Sequence, residues 1–302
     1  MKLMRKISGR FLLAFFILYG IGPWAYIQNA LAQNEKSFIW RVEADGSTVT
    51  ILGSIHFLKK ENYPLQPKIE KAFEEADTLV VEANINDESK INPAMIMERA
   101  FYPENDTLQS HVSKETYEQI REEARGLGIP PDQMDRCRPW FLAVTISSLE
   151  FMKLGYDPRY GVDYYFLTKA AKLKRVLELE SLDYQIKLLS SLSDTEQELF
   201  LLYTLKDLKI VGQEFNQLFK AWASGDSQGM DSIMMKYMRE DRRLSSAYEK
   251  LIYERNRNMA EKIGAYLKTK GTYFVVIGAA HLVGEKGIVE ILRGKGYRVV
   301  QF

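Results

Sequence analysis

The chain has 302 residues, 46% hydrophobic and 27% charged, an ordinary globular composition with enough apolar residues for a core and no signature of disorder. Lys and Arg number 41 against 40 Asp and Glu, so no basic surplus points to nucleic acid. One cysteine excludes an internal disulfide framework, a cysteine-type zinc site and an iron–sulfur cluster, and any histidine chemistry must use His56, His111 or His281.

Residues 1–32 read as a secretory signal peptide. Lys2, Arg5, Lys6 and Arg10 form a positive n-region, an apolar run extends from Phe11 to Ile27, and Ala30-Leu31-Ala32 offers small residues to a signal peptidase. Cleavage is expected before Gln33, which takes the formal charge from +1 to −3 and leaves a single domain, 33–302, outside the cytoplasm, periplasmic or secreted. The competing reading is an uncleaved anchor, although Gly20, Gly22 and Pro23 interrupt a run already near the lower length limit for spanning. Membrane contact is expected only through that segment. A lone Cys137 suits an oxidising compartment, because it has no partner for an intrachain bridge.

Two β-rich runs, 38–42 and 48–52, flank Asp45-Gly46 and predict a hairpin. The second run leads straight into Gly53-Ser54-Ile55-His56. A helix is expected over 68–76 and a buried strand over 78–82, then an irregular stretch over 84–110 with room for one short helix. A helix capped by Ser113 ends near Gly126, and Pro139 opens another that ends before Gly155. Asp163 is expected to cap a third, through Ala171. Residues 175–180 return to strand, Ser181 opens a short helix, and Ser193 with Glu196 forms a capping box for a helix running towards Trp222. More helix is expected from Ser227 to Lys268. Buried strand 272–277 ends in Gly278-Ala279-Ala280-His281, followed by a helix near 287–293 and a last strand at 297–302. Strands at both ends around a helical middle predict an α/β (α+β) fold: a central mixed sheet built from both chain ends, surrounded by helices, with a helical insertion at about 112–270.

The chemistry concentrates at strand ends. His56 and His281 each close a Gly-x-x-His directly after an apolar β run, with Gly53 and Gly278 at the turn. Glycine there lets the backbone turn sharply and approach another group closely. Each histidine then projects from the edge of the sheet where α/β proteins bind ligands. Glu82 ends the strand Leu79-Val80-Val81 in the same way. Two imidazoles and a carboxylate suit a divalent ion (Zn, Mn, Co or Fe) and leave a position for water. The plainer readings are hydrogen-bonded core histidines, and a cap or salt bridge for Glu82.

Arg255 falls among Leu244, Tyr248, Leu251, Ile252, Met259, Ile263 and Tyr266 at helical spacing, with Asn256 flanking the stripe. An arginine there needs an anion. It would orient Glu82, bind a substrate carboxylate, stabilise an oxyanion, or form a structural salt bridge. Asp163 and Glu180 would support the ligands from behind, the former being most simply a helix N-cap. His111 reads as a surface residue without a role.

Leu52-Gly53-Ser54-Ile55-His56, Val81-Glu82, Gly161-Val162-Asp163, Leu179-Glu180-Ser181, Glu254-Arg255-Asn256 and Ile277-Gly278-Ala279-Ala280-His281-Leu282 together resemble the TraB/GumN family, with Ser181 where Thr is usual. That family is similar to the Tiki membrane proteases, whose paired Gly-x-x-His motifs and glutamate support metal-dependent peptide cleavage. More distantly it resembles the erythromycin-esterase and ChaN-like folds. The resemblance implies an exported bacterial protein with a central mixed sheet. One branch of the family is associated with shutting down peptide pheromones. The expectation is a metal-dependent hydrolase of the peptidase kind, acting on a peptide or small molecule. His56, Glu82 and His281 would hold the metal, and Glu82, Arg255 and Asn256 are the candidate catalytic residues. The alternatives are a non-catalytic protein that sequesters a peptide or signal molecule, and haem binding through a histidine.

Overall fold

A computed structural model describes residues 36–208 and 211–302. The signal segment and its cleavage before Gln33 lie outside the described residues. The strands are β1 (Ile39–Ala44), β2 (Ser47–Ser54), β3 (Thr78–Val81), β4 (Arg175–Glu178), β5 (Thr272–Gly278) and β6 (Val299–Gln301). The helices up to β4 are α1 (Pro67–Glu75), α2 (Pro93–Ala100), α3 (Lys114–Gly126), α4 (Pro131–Arg136), α5 (Pro139–Lys153) and α6 (Val162–Ala170). After it come α7 (Leu182–Ser190), α8 (Asp194–Leu208), α9 (Val211–Ala223), α10 (Ser227–Met234), α11 (Lys236–Glu240), α12 (Ser245–Tyr248), α13 (Glu254–Tyr266) and α14 (Ile288–Gly294). Among the described residues no helix is long and apolar enough to cross a membrane.

The sheet is mixed, in the order β4-β3-β5-β2-β1-β6. The β1–β2 hairpin turns at Asp45 and Gly46, with φ of 49° and 81°, the left-handed pair that a two-residue hairpin turn requires. Strands β2, β5, β3 and β4 run parallel, and β1 is antiparallel to β2 and β6. Parallel strands are covered on both faces, which explains the unbroken apolar runs: all four residues of β3 and the last five of β5 are buried. The two chain ends meet, Val42 opposite Val299 and Ser54 opposite Gly278.

Helix α1 turns Ile69, Ala72 and Phe73 inward at helical spacing, and Phe73 meets Phe166 of α6 and Phe274 of β5 with ring centroids 4.9 and 5.6 Å away. The helical middle has a core of its own, with Tyr117 and Ile120 of α3, Leu142 and Ile146 of α5 and Leu201 and Leu205 of α8 packed together. Residues 36–302 form one compact unit. The local helix signals act as expected: the Ser113 side chain accepts from Thr116 N–H, Ser181 from Tyr184 N–H, and Ser193 and Glu196 exchange a reciprocal pair. The stretch 84–110 contains one regular helix, α2, with single 3₁₀ turns on either side.

Two expectations are corrected. The helical stretch over 244–267 is not a regular α-helix throughout: its backbone stays helical but carries a π turn at Glu249–Tyr253 between α12 and α13. Within α13, Asn256 is 1% exposed, in the middle of the buried face with Met259 and Ile263, while Arg255 lies at its edge. Asp163 is not the cap of α6. Gly161 holds that position without a side-chain hydrogen bond, and the Val162 N–H, which a cap would help to satisfy, donates instead to the Ile55 carbonyl at 3.0 Å. A Cβ on Gly161 would sit 2.3 Å from the His56 carbonyl oxygen, so only glycine lets α6 begin against the end of β2.

Candidate metal centre at the carboxyl edge of the sheet

The strand order decides which groups become neighbours. β4, β3, β5 and β2 run parallel and adjacent, so the residues just past their carboxyl ends line up as Glu180, Glu82, His281 and His56. Pairing of β3 with β4 continues past both strands, with Leu179 N–H on the Val81 carbonyl and Glu180 N–H on that of Glu82.

Gly278 is where the groups meet. A Cβ there would lie 3.3 Å from Glu82 Oε2, 3.5 Å from His281 Cδ2 and 3.6 Å from His56 Nε2. Glu82 Oε2 accepts the Gly278 N–H at 2.9 Å, and His281 Nε2 is 3.9 Å from Glu82 Oε1. Gly53 lies within β2 opposite Ile277 of β5, its carbonyl accepting from Trp222 Nε1 at 2.7 Å.

Both imidazoles are held through Nδ1. His56 Nδ1 lies 2.7 Å from Asp163 Oδ2, and the other carboxylate oxygen accepts from Ser54 Oγ at 2.7 Å. His281 Nδ1 lies 2.6 Å from Asn256 Oδ1. Asn256 Nδ2 donates to the Lys286 carbonyl at 2.8 Å, which fixes the amide orientation and makes Nδ1 of His281 the protonated nitrogen. The Nε2 lone pair of His281 therefore faces Glu82. Among the described residues neither Nε2 takes a hydrogen bond.

The histidines differ in setting. His281 is 5% exposed and burial pushes its pKa down to about 4, so it is neutral. The His56 side chain is 63% exposed, and the Asp163 carboxylate raises it to about 9, a pull that solvent screens. Burial pushes Glu82 up, but His281, Arg255, His56 and the Gly278 N–H outweigh it and hold the carboxyl at about 2.

Arg255 is engaged by protein groups. Nε lies 3.0 Å from Glu180 Oε1, Nη2 donates to Glu180 Oε2 at 2.8 Å and to Glu82 Oε1, and Nη1 donates to the Leu251 carbonyl at 3.0 Å. Of the roles read from sequence, the free protein displays two, orienting Glu82 and forming a buried salt bridge. Asn256, expected among the catalytic residues, is buried and holds His281 through Nδ1. Three contributors escaped the sequence reading: Ser54, Gly161 and Gln185. Gln185 Nε2 donates to Glu82 Oε1 and Glu180 Oε2, each at 3.0 Å. Ser54 and Gly161 lie inside the motifs at residues 53–56 and 161–163. Gln185 had no local signal, being one polar residue on a helix whose apolar face is Leu182, Ile186 and Leu189.

Among the described residues, no three His, Cys, Asp or Glu side chains already surround a common ion position. The donors fit a divalent ion in kind: His56 Nε2, Glu82 Oε2 and the Cδ2 edge of the His281 ring approach the cradle that a Gly278 Cβ would fill, and both Nδ1 atoms rest on oxygen acceptors, as metal-bound histidines do. A cavity of about 1010 Å³ in the helical region, lined by Phe101, Ile129, Phe141 and Leu142, contains none of these groups.

His111 is not the inert surface residue expected. Its ring stacks on Tyr102 with centroids 4.3 Å apart and bridges Asp106 at 2.8 Å and Asp194 at 3.0 Å, tying the loop before α3 to the start of α8. Burial pulls its pKa down, and the bonds to Asp194 and Asp106 outweigh this and raise it. Its stabilisation is full below the ordinary value near 6.5 and disappears as pH rises through the raised one. His111→Gln is thus expected to lower the melting temperature most near about pH 5.5, with a gap to wild type that narrows in alkali. A gap independent of pH would show that the ring acts by stacking alone.

Residues 38–301 match the TraB/PrgY/gumN family. The chain is 28% identical over 244 residues to the uncharacterized protein YbaP of Escherichia coli, covering 80% of this chain and 87% of that one. It is 22% identical over 315 residues to "Metalloprotease TIKI2" of Xenopus tropicalis, covering 87% of this chain and 59% of the relative. A 51-residue stretch is 43% identical to "Metalloprotease TIKI homolog" of Amphimedon queenslandica, covering 16% of this chain and 10% of that one. No solved structure matches. With nearly the whole described fold inside the match, the chain belongs to the TraB/PrgY/gumN family.

Proposed function

We propose that the protein is a metal-dependent peptidase acting outside the cytoplasm. One observation carries the reading: two histidines from different strands, each tied through Nδ1 to an oxygen acceptor, turn towards the same glycine as a buried carboxylate. Relatives named metalloproteases support it at 20–22% identity. His56 and His281 would bind the ion through Nε2 and Glu82 through Oε2. A divalent ion at this edge supplies an ionised water near neutral pH and polarises a peptide carbonyl. Asp163 and Asn256 hold the two rings through Nδ1, and Asp163 would also keep the proton on Nδ1 of His56 when Nε2 is used. Glu82, ionised at neutral pH, serves as ligand or as proton acceptor. His56 forms the exposed side of the site, where an extended peptide can reach it.

Purified protein beginning at Gln33 should cleave members of a peptide library, lose the activity to a chelator and regain it with Zn²⁺, Mn²⁺, Co²⁺ or Fe²⁺. Stoichiometric peptide binding without product would replace this reading by sequestration, and a Soret band on haem titration by haem binding. Amino-terminal sequencing of exported protein tests the location; a chain starting at Met1 in membrane fractions would replace secretion by anchoring.

A further inference from the structure

A carboxylate has about four lone-pair positions. On Glu82, Oε1 accepts from Arg255 Nη2 and from Gln185 Nε2, and Oε2 accepts from Gly278 N–H. The position left over is on Oε2, the oxygen that approaches the space above Gly278 alongside His56 Nε2. Arg255 cannot enforce this alone. Its fork is bidentate on Glu180 and gives Glu82 a single Nη2 contact, about which a carboxylate can swing.

Gln185 removes that freedom. Both of its acceptors are carboxylate oxygens, so the atom facing them is the amide nitrogen, and each of its hydrogens is used, one on Glu82 and one on Glu180. Its place on α7 is set from both sides. The Ser181 cap starts the helix one turn earlier, with Gln185 N–H on the Ser181 carbonyl at 3.1 Å, and the next residue, Ile186, is buried. The amide also separates two buried acids that share one guanidinium.

We infer that Gln185 is a positioning residue: by occupying Oε1 of Glu82 it leaves the free lone pair of Oε2 for the space above Gly278 that His56 Nε2 also faces. Its consequence for metal binding rests on the peptidase reading; its geometry does not.

Gln185→Met keeps the length of the side chain and removes both donors. Gln185→Glu keeps the shape, replaces the donors by acceptors and adds a third acid to the cluster. In the metal-free protein, NMR reads the Gly278 amide proton, whose acceptor is Glu82 Oε2. Both variants are expected to shift it upfield and speed its exchange, a change that loss of packing around α7 would not produce. Calorimetric titration with Mn²⁺ or Zn²⁺ is expected to show binding about 10–100-fold weaker, the usual loss when a group supporting a ligand is removed. If the added charge prevents Gln185→Glu from folding, the methionine variant carries both measurements. A Gly278 resonance unchanged by the substitution overturns the inference, whatever happens to metal affinity. A shifted resonance in a protein whose wild type binds neither ion supports the positioning role and overturns the metal reading.

Discussion

Arg255→Leu is expected to destabilise the protein by about 3–5 kcal/mol, the usual cost of leaving a buried charge without its partner. The arginine side chain is 12% exposed, and its guanidinium is shared between Glu180, 5% exposed, and Glu82, 12% exposed. Leucine fills part of the same volume but donates nothing, so two carboxylates would face each other with only the Gln185 amide between them. For a domain whose whole stability is about 5–15 kcal/mol, this is a large fraction. Arg255→Lys should lose less, because a charge remains, but an ammonium lacks the planar fork that grips Glu180 and still reaches Glu82. Its expected signature is a surviving fold with reduced peptide cleavage. Denaturant unfolding of both variants measures the first part. A leucine variant within about 1 kcal/mol of wild type, when a median mutation already costs about that much, would show that the acid pair does not need its cation. A lysine variant with full turnover would remove Arg255 from the working site.

Glu82→Gln is expected to lower peptide cleavage by roughly 10²–10⁴-fold, the range for losing a general acid or base, and to abolish ion binding at the sheet edge. The argument is again one of lone pairs. Three donors converge on the two oxygens of Glu82: Arg255 and Gln185 on Oε1, Gly278 N–H on Oε2. Glutamine has one oxygen, and the side with two donors will claim it. The amide NH₂ then occupies the Oε2 position, facing the Gly278 N–H and the histidines with no lone pair to offer. Shape is conserved and the ligand is lost. Turnover and ion titration on the folded variant measure this directly, and wild-type rates would exclude Glu82 from the reaction.

Much of this arrangement is legible from local signals. Asp45-Gly46 between two β-rich runs specifies the hairpin because few other residue pairs accept two successive positive φ angles. Ser113, Ser181 and Ser193 mark helix starts because a hydroxyl satisfies backbone N–H groups within its own turn. The Gly-x-x-His pair and Glu82 stand out because a polar residue directly after a strand buried on both faces must emerge at the sheet edge.

What the sequence by itself determined, then, is which residues reach that edge: His56, Glu82, Glu180 and His281 each follow a strand whose apolar run is local and unmistakable. Which of them touch was decided by the tertiary structure alone. The order β4-β3-β5-β2 seats Glu82 between Glu180 and His281, and strand order depends on how the helical crossovers pack. Asp163 shows the same division. Its position near a helix start suggested a cap, but a carbonyl more than a hundred residues away at Ile55 meets the helix N–H and frees the carboxylate for Ser54 and His56. Asn256 and not Arg255 lies in the centre of the buried face of α13, beside Met259, Ala260 and Ile263, and its partner His281 belongs to another segment. Gln185 carries no local mark, because its meaning lies in two acids that belong to other strands. Local chemistry selects the elements and their ends; contacts between distant segments assign the partners, since hydrogen-bond acceptors are met in space and not along the chain.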